Sequence, residues 1–370
     1  MPFDCELRAE HLRQRFGASP EQWNDWRWQL SRRPDTPEAL AELLPLSASE
    51  LEGIRRAGER YRWGVTPYAL SLIDPEDPSC PLKAQLLPCE RELTDSLGEA
   101  DPLRERDHSP VPDLIRVYPD RVALCLTSLC PVYCRHCFRK RRTLESVPAD
   151  AFERALDYIA RHPEIRDVLV TGGDPLMLPD EVLLTRLERL KAIPHVEMLR
   201  LGTRVPSMLP MRITEDLARA LALFHPLFVN VQFNHPRELT VASRKALALL
   251  ADHGIPLGNQ SVLLRGINDR LDTHRELLHV LLKARVRPYY LFHPHLVEGT
   301  EHFRLPIEVG LDLVESLEGY TSGLAVPAYA LDTPFGKVRL SRGRIIDRND
   351  DSVTVRTFDG TPWTEPNPKE

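Results

Sequence analysis

Four of the seven cysteines in this 370-residue chain fall between Cys125 and Cys137. Three of them form one short run, Cys130-Pro-Val-Tyr-Cys134-Arg-His-Cys137-Phe138, with gaps of three and then two residues. Three thiolates so spaced suit three irons of a [4Fe-4S] cluster and leave the fourth iron without a protein ligand, open to chemistry. A structural zinc needs four ligands, and His136, the nominal fourth, sits directly beside Cys137, where sharing one tetrahedral ion is sterically awkward. A plain electron carrier needs a fourth cysteine, and Cys125 stands at the wrong spacing. The remaining cysteines, Cys5, Cys80 and Cys89, are scattered and read as incidental thiols. An odd cysteine number without an export signal argues against a disulfide framework.

Two further features carry chemical potential. The run Thr171-Gly172-Gly173-Asp174-Pro175 is by itself a tight turn, because glycine accepts positive φ and proline ends local hydrogen bonding. Primary amines are few: Lys83, Lys140, Lys191, Lys245, Lys283, Lys337 and Lys369 are the only lysines. Any reaction that needs an amine has seven candidates.

The elements that must position these residues follow from hydrophobic period. From Arg121 onward, short β-branched runs alternate with segments of helical period, the pattern of βαβ units. Strands are expected at 122–126, 167–171, 196–202, 227–233, 256–263, 286–292 and 324–330. Helices are expected at 151–161, 181–192, 215–224, 237–253, 270–284 and 307–317. A parallel barrel or partial barrel follows, and in such folds active residues gather where strands end. Ahead of it, 1–114 reads as a helical domain and a proline-rich linker. The barrel spans 115–330, and 331–370 forms a small β-rich extension.

Composition narrows the function. With 42% hydrophobic and 28% charged residues the chain is that of a globular protein with a sizeable core. A formal charge of −6 offers no basic excess for nucleic acid. No apolar run of about 18 residues and no signal-type N-terminus is present, so no membrane association and a cytoplasmic location are expected.

The cysteine run, followed by an aromatic residue after the first predicted barrel strand, resembles the radical S-adenosylmethionine (SAM) superfamily, whose open iron binds the amino and carboxylate groups of SAM. The Gly172-Gly173-Asp174 turn stands where that superfamily's SAM-contacting turn does. Longer stretches resemble the lysine 2,3-aminomutase family, radical SAM enzymes that also use pyridoxal phosphate (PLP). They include Trp26-Arg-Trp-Gln29, Tyr68-Ala-Leu-Ser-Leu-Ile-Asp-Pro75, Phe233-Asn-His-Pro236, Pro256-Leu-Gly-Asn-Gln-Ser-Val-Leu-Leu-Arg-Gly-Ile-Asn268 and Arg287-Pro-Tyr-Tyr290. Collinear matches run from about Trp23 to Thr364.

The resemblance implies a partial (β/α)6-type barrel and an isomerase that moves an amino group from the α- to the β-carbon of an amino acid. It implies cluster ligation by Cys130, Cys134 and Cys137, and SAM contacts at Gly172, Gly173, Asp174 and Gln260. Lys337 matches the PLP-binding lysine, and Tyr118 and Arg121 match residues that hold PLP. Arg139 matches the arginine that pairs with the substrate carboxylate. A one-electron donor such as flavodoxin or ferredoxin is implied, and a homo-oligomer is compatible. Lysine-specific members hold the distal ammonium with two aspartates; one matches Asp332, but His295 stands at the other place. The substrate, lysine first, is therefore open to arginine or glutamate. A structural zinc of the family is expected to be absent, because Arg270 replaces one cysteine ligand and no cysteine follows Cys137. Gln232 stands where a histidine is expected, which bears on one SAM contact. The alternatives are the relative that isomerises lysine for elongation factor P, a radical SAM protein without PLP, and an iron-sulfur electron carrier.

Overall fold

The computed structural model describes residues 3–349, 351–357 and 359–368. Positions 1–2 and 369–370, which end the expected first and last segments, lie outside the described residues, and Lys369 with them.

Nine strands form one sheet in sequential order: β1 (Leu114–Ile115), β2 (Arg121–Cys125), β3 (Asp167–Thr171), β4 (Met198–Thr203), β5 (Leu227–Val231), β6 (Leu257–Val262), β7 (Val286–Phe292), β8 (Ala328–Thr333) and β9 (Gly336–Arg339). Strands β2 to β8 are parallel, and β1 and β9 cap the two edges antiparallel. The result is a curled parallel half-barrel. Six principal helices make the crossovers, Ala151–Ala160, Asp180–Lys191, Glu215–Ala222, Val241–Asp252, Leu271–Lys283 and Ile307–Glu315. Each expected strand and helix has its counterpart, with ends displaced by a few residues.

Period-two alternation decides which side chains face which way. Val122, Leu124, Val168, Val170, Leu199, Leu201, Val229 and Val231 join the core under the helices. The alternate residues Ala123, Leu169, Arg200, Gly202, Asn230, Gln260, Tyr290 and Asp332 line a cavity of about 1070 Å³ on the concave side. That face is polar because it bounds the cavity rather than a core, which is why these strands alternate although parallel strands buried on both faces read as continuous apolar runs.

The last parallel strand begins four residues later than expected, at Ala328 rather than Leu324, and runs through Asp332. The boundary expected at 330 left Asp332 outside the barrel. Here it points into the cavity, where a charge finds partners. Strand β8 thus crosses the boundary expected at 330, and the hairpin that carries Lys337 belongs to the large sheet. A separate three-stranded antiparallel sheet follows, β10 (Ile345–Arg348), β11 (Ser352–Arg356) and β12 (Pro362–Pro366). Its Val353 and Val355 pack with Leu331 and Val338.

Short helices occupy much of the first hundred residues, several opened by side-chain caps such as Ser19, Thr36, Ser47 and Thr66. Their core contains Trp23, Leu40, Ile54, Trp63 and Tyr68 together with Val132 of the cysteine run. The N-terminal segment therefore braces the loop that carries the thiols.

Candidate active site

The cysteine run leaves the C-terminal end of β2 and borders the cavity with all three thiols. Its base rests on the turn after β3. Gly172 has φ +127°, and a Cβ there would come within 2.6 Å of the Thr127 carbonyl oxygen. A Cβ on Gly173 would lie 2.3 Å from the Leu129 carbonyl oxygen, so the two glycines are required by this close docking as well as by the turn. The N–H groups of Gly173 and Asp174 donate to the carbonyls of Thr127 and Leu129 at 2.5 and 2.7 Å. The Asp174 carboxylate is buried and accepts from the Thr203 hydroxyl at 2.8 Å and the Arg204 N–H at 2.7 Å. Burial pushes it up to about 6 despite those bonds. It knits the end of β3 to that of β4, while the turn remains in the cavity wall.

Buried charge steadies the run from behind. Arg33 Nη1 donates to the Cys130 carbonyl at 2.9 Å. Arg135, only 1% exposed, makes a forked pair with Glu92 at 2.9 and 2.6 Å, and Lys140 Nζ reaches the same carboxylate at 2.8 Å. Arg204 donates to Cys134 Sγ at 2.7 Å. Burial pushes the Cys137 thiol up to about 11 and the Cys130 thiol well above its ordinary value. Such thiols become anionic donors when a cationic metal centre takes them, and three soft donors from one loop suit iron.

Lys337 approaches the same cavity from β9. The hairpin turn is held by the Thr333 hydroxyl, which donates to the Gly336 carbonyl at 2.7 Å, and Gly336 has φ +105°, which favours glycine. Asp332 and Lys337 are direct cross-strand partners, so their side chains share a face and form an ion pair. The Lys337 N–H donates to the Tyr118 hydroxyl at 2.6 Å, and Arg121 stacks on the Tyr118 ring at 3.7 Å. Phe292 lies 4.4 Å and Tyr290 5.2 Å from Lys337 Nζ.

His295 connects this corner to the cysteine run. Its ring stacks on Phe138 at 4.8 Å, and Nε2 lies 3.2 Å from Asp332 Oδ2. Burial alone would raise the Asp332 carboxyl, but the Lys337 charge and the His295 contact outweigh it and hold it well below the usual range. Gln260, which follows a register shift between Asn259 and Gln260, also lines the cavity. Such irregularities re-aim side chains near active sites.

Arg139 is directed by a residue that sequence inspection passed over. Its Nε and Nη2 bond Glu105 Oε1 at 2.9 and 2.7 Å, and its Nη1 lies 3.3 Å from the Thr171 hydroxyl. Glu105 belongs to the linker, with no local signal of a site. Arg204 was missed too, although a basic residue directly after a barrel strand is the kind of position that carries function. Gln232 and Asn234 both approach His136 Nε2 at 3.2 Å.

A curled parallel sheet with three thiols after its first parallel strand and a Gly-Gly-Asp turn after the second defines the radical SAM class, whose members use a [4Fe-4S] cluster and SAM. Residues 124–278 match the radical SAM superfamily, and residues 314–370 match the family described as lysine-2,3-aminomutase. The L-lysine 2,3-aminomutase of Clostridium subterminale is 45% identical over 357 residues, covering 94% of this chain and 86% of the relative. That of Fusobacterium nucleatum is 44% identical over 370 residues, covering 97% and 87%. The glutamate 2,3-aminomutase of Clostridioides difficile is 42% identical over 362 residues, covering 96% and 86%. The chain belongs to the lysine 2,3-aminomutase family of radical SAM isomerases. Among the described residues no helix is long and apolar enough to cross a membrane.

Proposed function

We propose that this chain is a PLP-dependent 2,3-aminomutase for a free α-amino acid with a distal cation, L-lysine first, and that it forms the β-amino acid. The observation that carries the reading is the convergence of Lys337, Asp332 and the three thiols on one cavity. When bound, the cluster and SAM supply the one-electron start of the reaction, and PLP supplies a π-system for the migrating amino group.

The residues present fit these groups. Lys337 offers a primary amine in a half-buried corner walled by Phe292 and Tyr290, which keep water from it. Asp332 pairs with that amine and holds it at the cavity face of the hairpin. Tyr118 fixes the strand at the Lys337 N–H, and Arg121 brings a guanidinium to the outer side. Arg139, oriented by Glu105, turns Nη1 toward a substrate carboxylate. Asp332 also receives the distal cation of the substrate, and His295 shapes that end. Gly172, Gly173, Asp174 and Gln260 are assigned to the SAM side of the cavity.

A second reading rests on the occupation of Asp332. Lys337 takes one carboxylate oxygen and His295 the other, so less negative charge is left for an ammonium than two aspartates would give. Arginine or glutamate is the substrate under that reading. The test is anaerobic turnover with SAM, PLP and dithionite on lysine, arginine and glutamate separately, with β-amino acids identified by mass spectrometry. β-Lysine as the main product supports the first reading, and β-arginine or β-glutamate the second. No β-product from any of them, with SAM cleaved, rejects both.

A further inference from the structure

The outer mouth of the cavity is lined by Arg121, Arg339, Arg344 and Arg356. Arg339, Arg344 and Arg356 make no ion pair among the described residues, whereas neighbouring Arg342 turns outward to Asp312 at 2.5 Å and Glu315 at 3.1 Å. At the same mouth Arg121 is paired with Asp120 at 3.1 Å, which leaves Arg339, Arg344 and Arg356 as guanidiniums without an acid partner among the described residues, and their field favours an anion there.

Strand register says where that anion lies. Val338 is buried in the core, so Lys337 and Arg339 share the opposite, cavity-side face of β9. Arg339 is one pleat farther out, about 7 Å along the strand. Its guanidinium lies 6.0 Å from the Tyr290 ring, which also faces Lys337 Nζ at 5.2 Å. On the other flank Arg121 covers the Tyr118 ring, whose hydroxyl accepts from the Lys337 N–H. Two guanidiniums, one on each side of the reactive amine and both toward solvent, match an elongated ligand attached to Lys337 at one end and anionic at the other.

We propose that Arg339, backed by Arg344, forms with Arg121 the subsite for the phosphate group of PLP; this rests on the assignment of Lys337 as the PLP lysine. A planar guanidinium fork suits a phosphate dianion better than any neutral donor. The substrate carboxylate is not the ligand of this subsite, since Arg139 holds it on the cluster side.

The test compares two probes that share the aldehyde and differ in the phosphate. Cluster-containing protein is titrated anaerobically with PLP and with pyridoxal, in wild type, R339A, R344A, R339K and the outward-facing control R342A. Binding is read from absorbance, and the attachment point from borohydride trapping and peptide mapping. R339A weakens PLP about tenfold, the scale of one partly exposed charge-assisted bond, leaves pyridoxal unchanged, and R339K recovers part of the loss. R342A changes neither. Equal PLP affinity in R339A and wild type, or equal loss for both probes, overturns this inference and leaves the assignment of Lys337 standing. Absence of any Lys337 adduct in wild type overturns that assignment and this inference with it.

Discussion

Replacing Asp332 by asparagine isolates the charge proposed to select the substrate. The side chain is 18% exposed, and its two oxygens face Lys337 and His295. At about 4 Å and an effective dielectric near 20, a carboxylate attracts an ammonium by on the order of 4 kcal/mol before desolvation. Loss of one partner of a buried, hydrogen-bonded charge pair costs about 2–5 kcal/mol. A mid-range value of roughly 3 kcal/mol corresponds to about a hundredfold in kcat/KM for lysine. Because the folded carboxyl is held below its ordinary value, the charge is present at all pH above the unfolded value and is lost only as pH falls through the lower folded one. Titration of Asp332 itself therefore contributes no change in the lysine preference from neutrality down to about pH 4. The assay is kcat/KM for lysine and Nε-acetyl-lysine, with PLP loading of the same variant measured by borohydride trapping. The expected result is retained PLP on Lys337 and a collapse of the lysine preference. Unchanged lysine kcat/KM with PLP loaded, or an equal loss for both substrates, shows that Asp332 does not hold the distal ammonium.

Other consequences follow from the packing behind the cysteine run. Glu92→Gln leaves Arg135 and Lys140 as buried cations without their shared acid, so urea unfolding shows a loss of about 3–5 kcal/mol and iron content after reconstitution falls. Burial pushes Lys140 down to about 8 against the pull of Glu92, whereas its ordinary value is 10.5. Between those values the unfolded chain binds more protons, so this residue adds stability as pH rises. Wild type therefore gains on K140M by at most about 3 kcal/mol between pH 8 and 10.5, read from urea midpoints; a gap that narrows with pH contradicts the placement. Gly173→Ala forces a Cβ against the Leu129 carbonyl, displaces the base of the cysteine run and lowers iron per chain, while far-ultraviolet circular dichroism stays close to wild type.

Much of the scaffold was legible because its signals are local. Cysteine spacing in 130–137, the Gly-Gly-Asp-Pro turn and the alternation of strand and helix periods each lie within a few residues. The start of β8 was misplaced because Leu324 and Val326 look like strand residues, whereas the strand runs from Ala328 to Thr333. Lys337 stood out only by resemblance. Its pairing with Asp332 depends on the register of a hairpin. Glu105 and Glu92 could not be read at all, since each acquires its role from an arginine 34 or 43 positions away in sequence. Arg339 hid in a run of ordinary surface composition and became visible only when strand pleat and cavity were known.

Migration of the amino group is followed with lysine labelled with nitrogen-15 at the α-position, incubated anaerobically with the reconstituted enzyme, SAM, PLP and dithionite. The expected product is β-lysine with the label on the β-nitrogen, formed only when PLP is present and abolished by K337A although SAM is still cleaved. Label that stays on the α-nitrogen, or product formed equally by K337A, would contradict the proposed function.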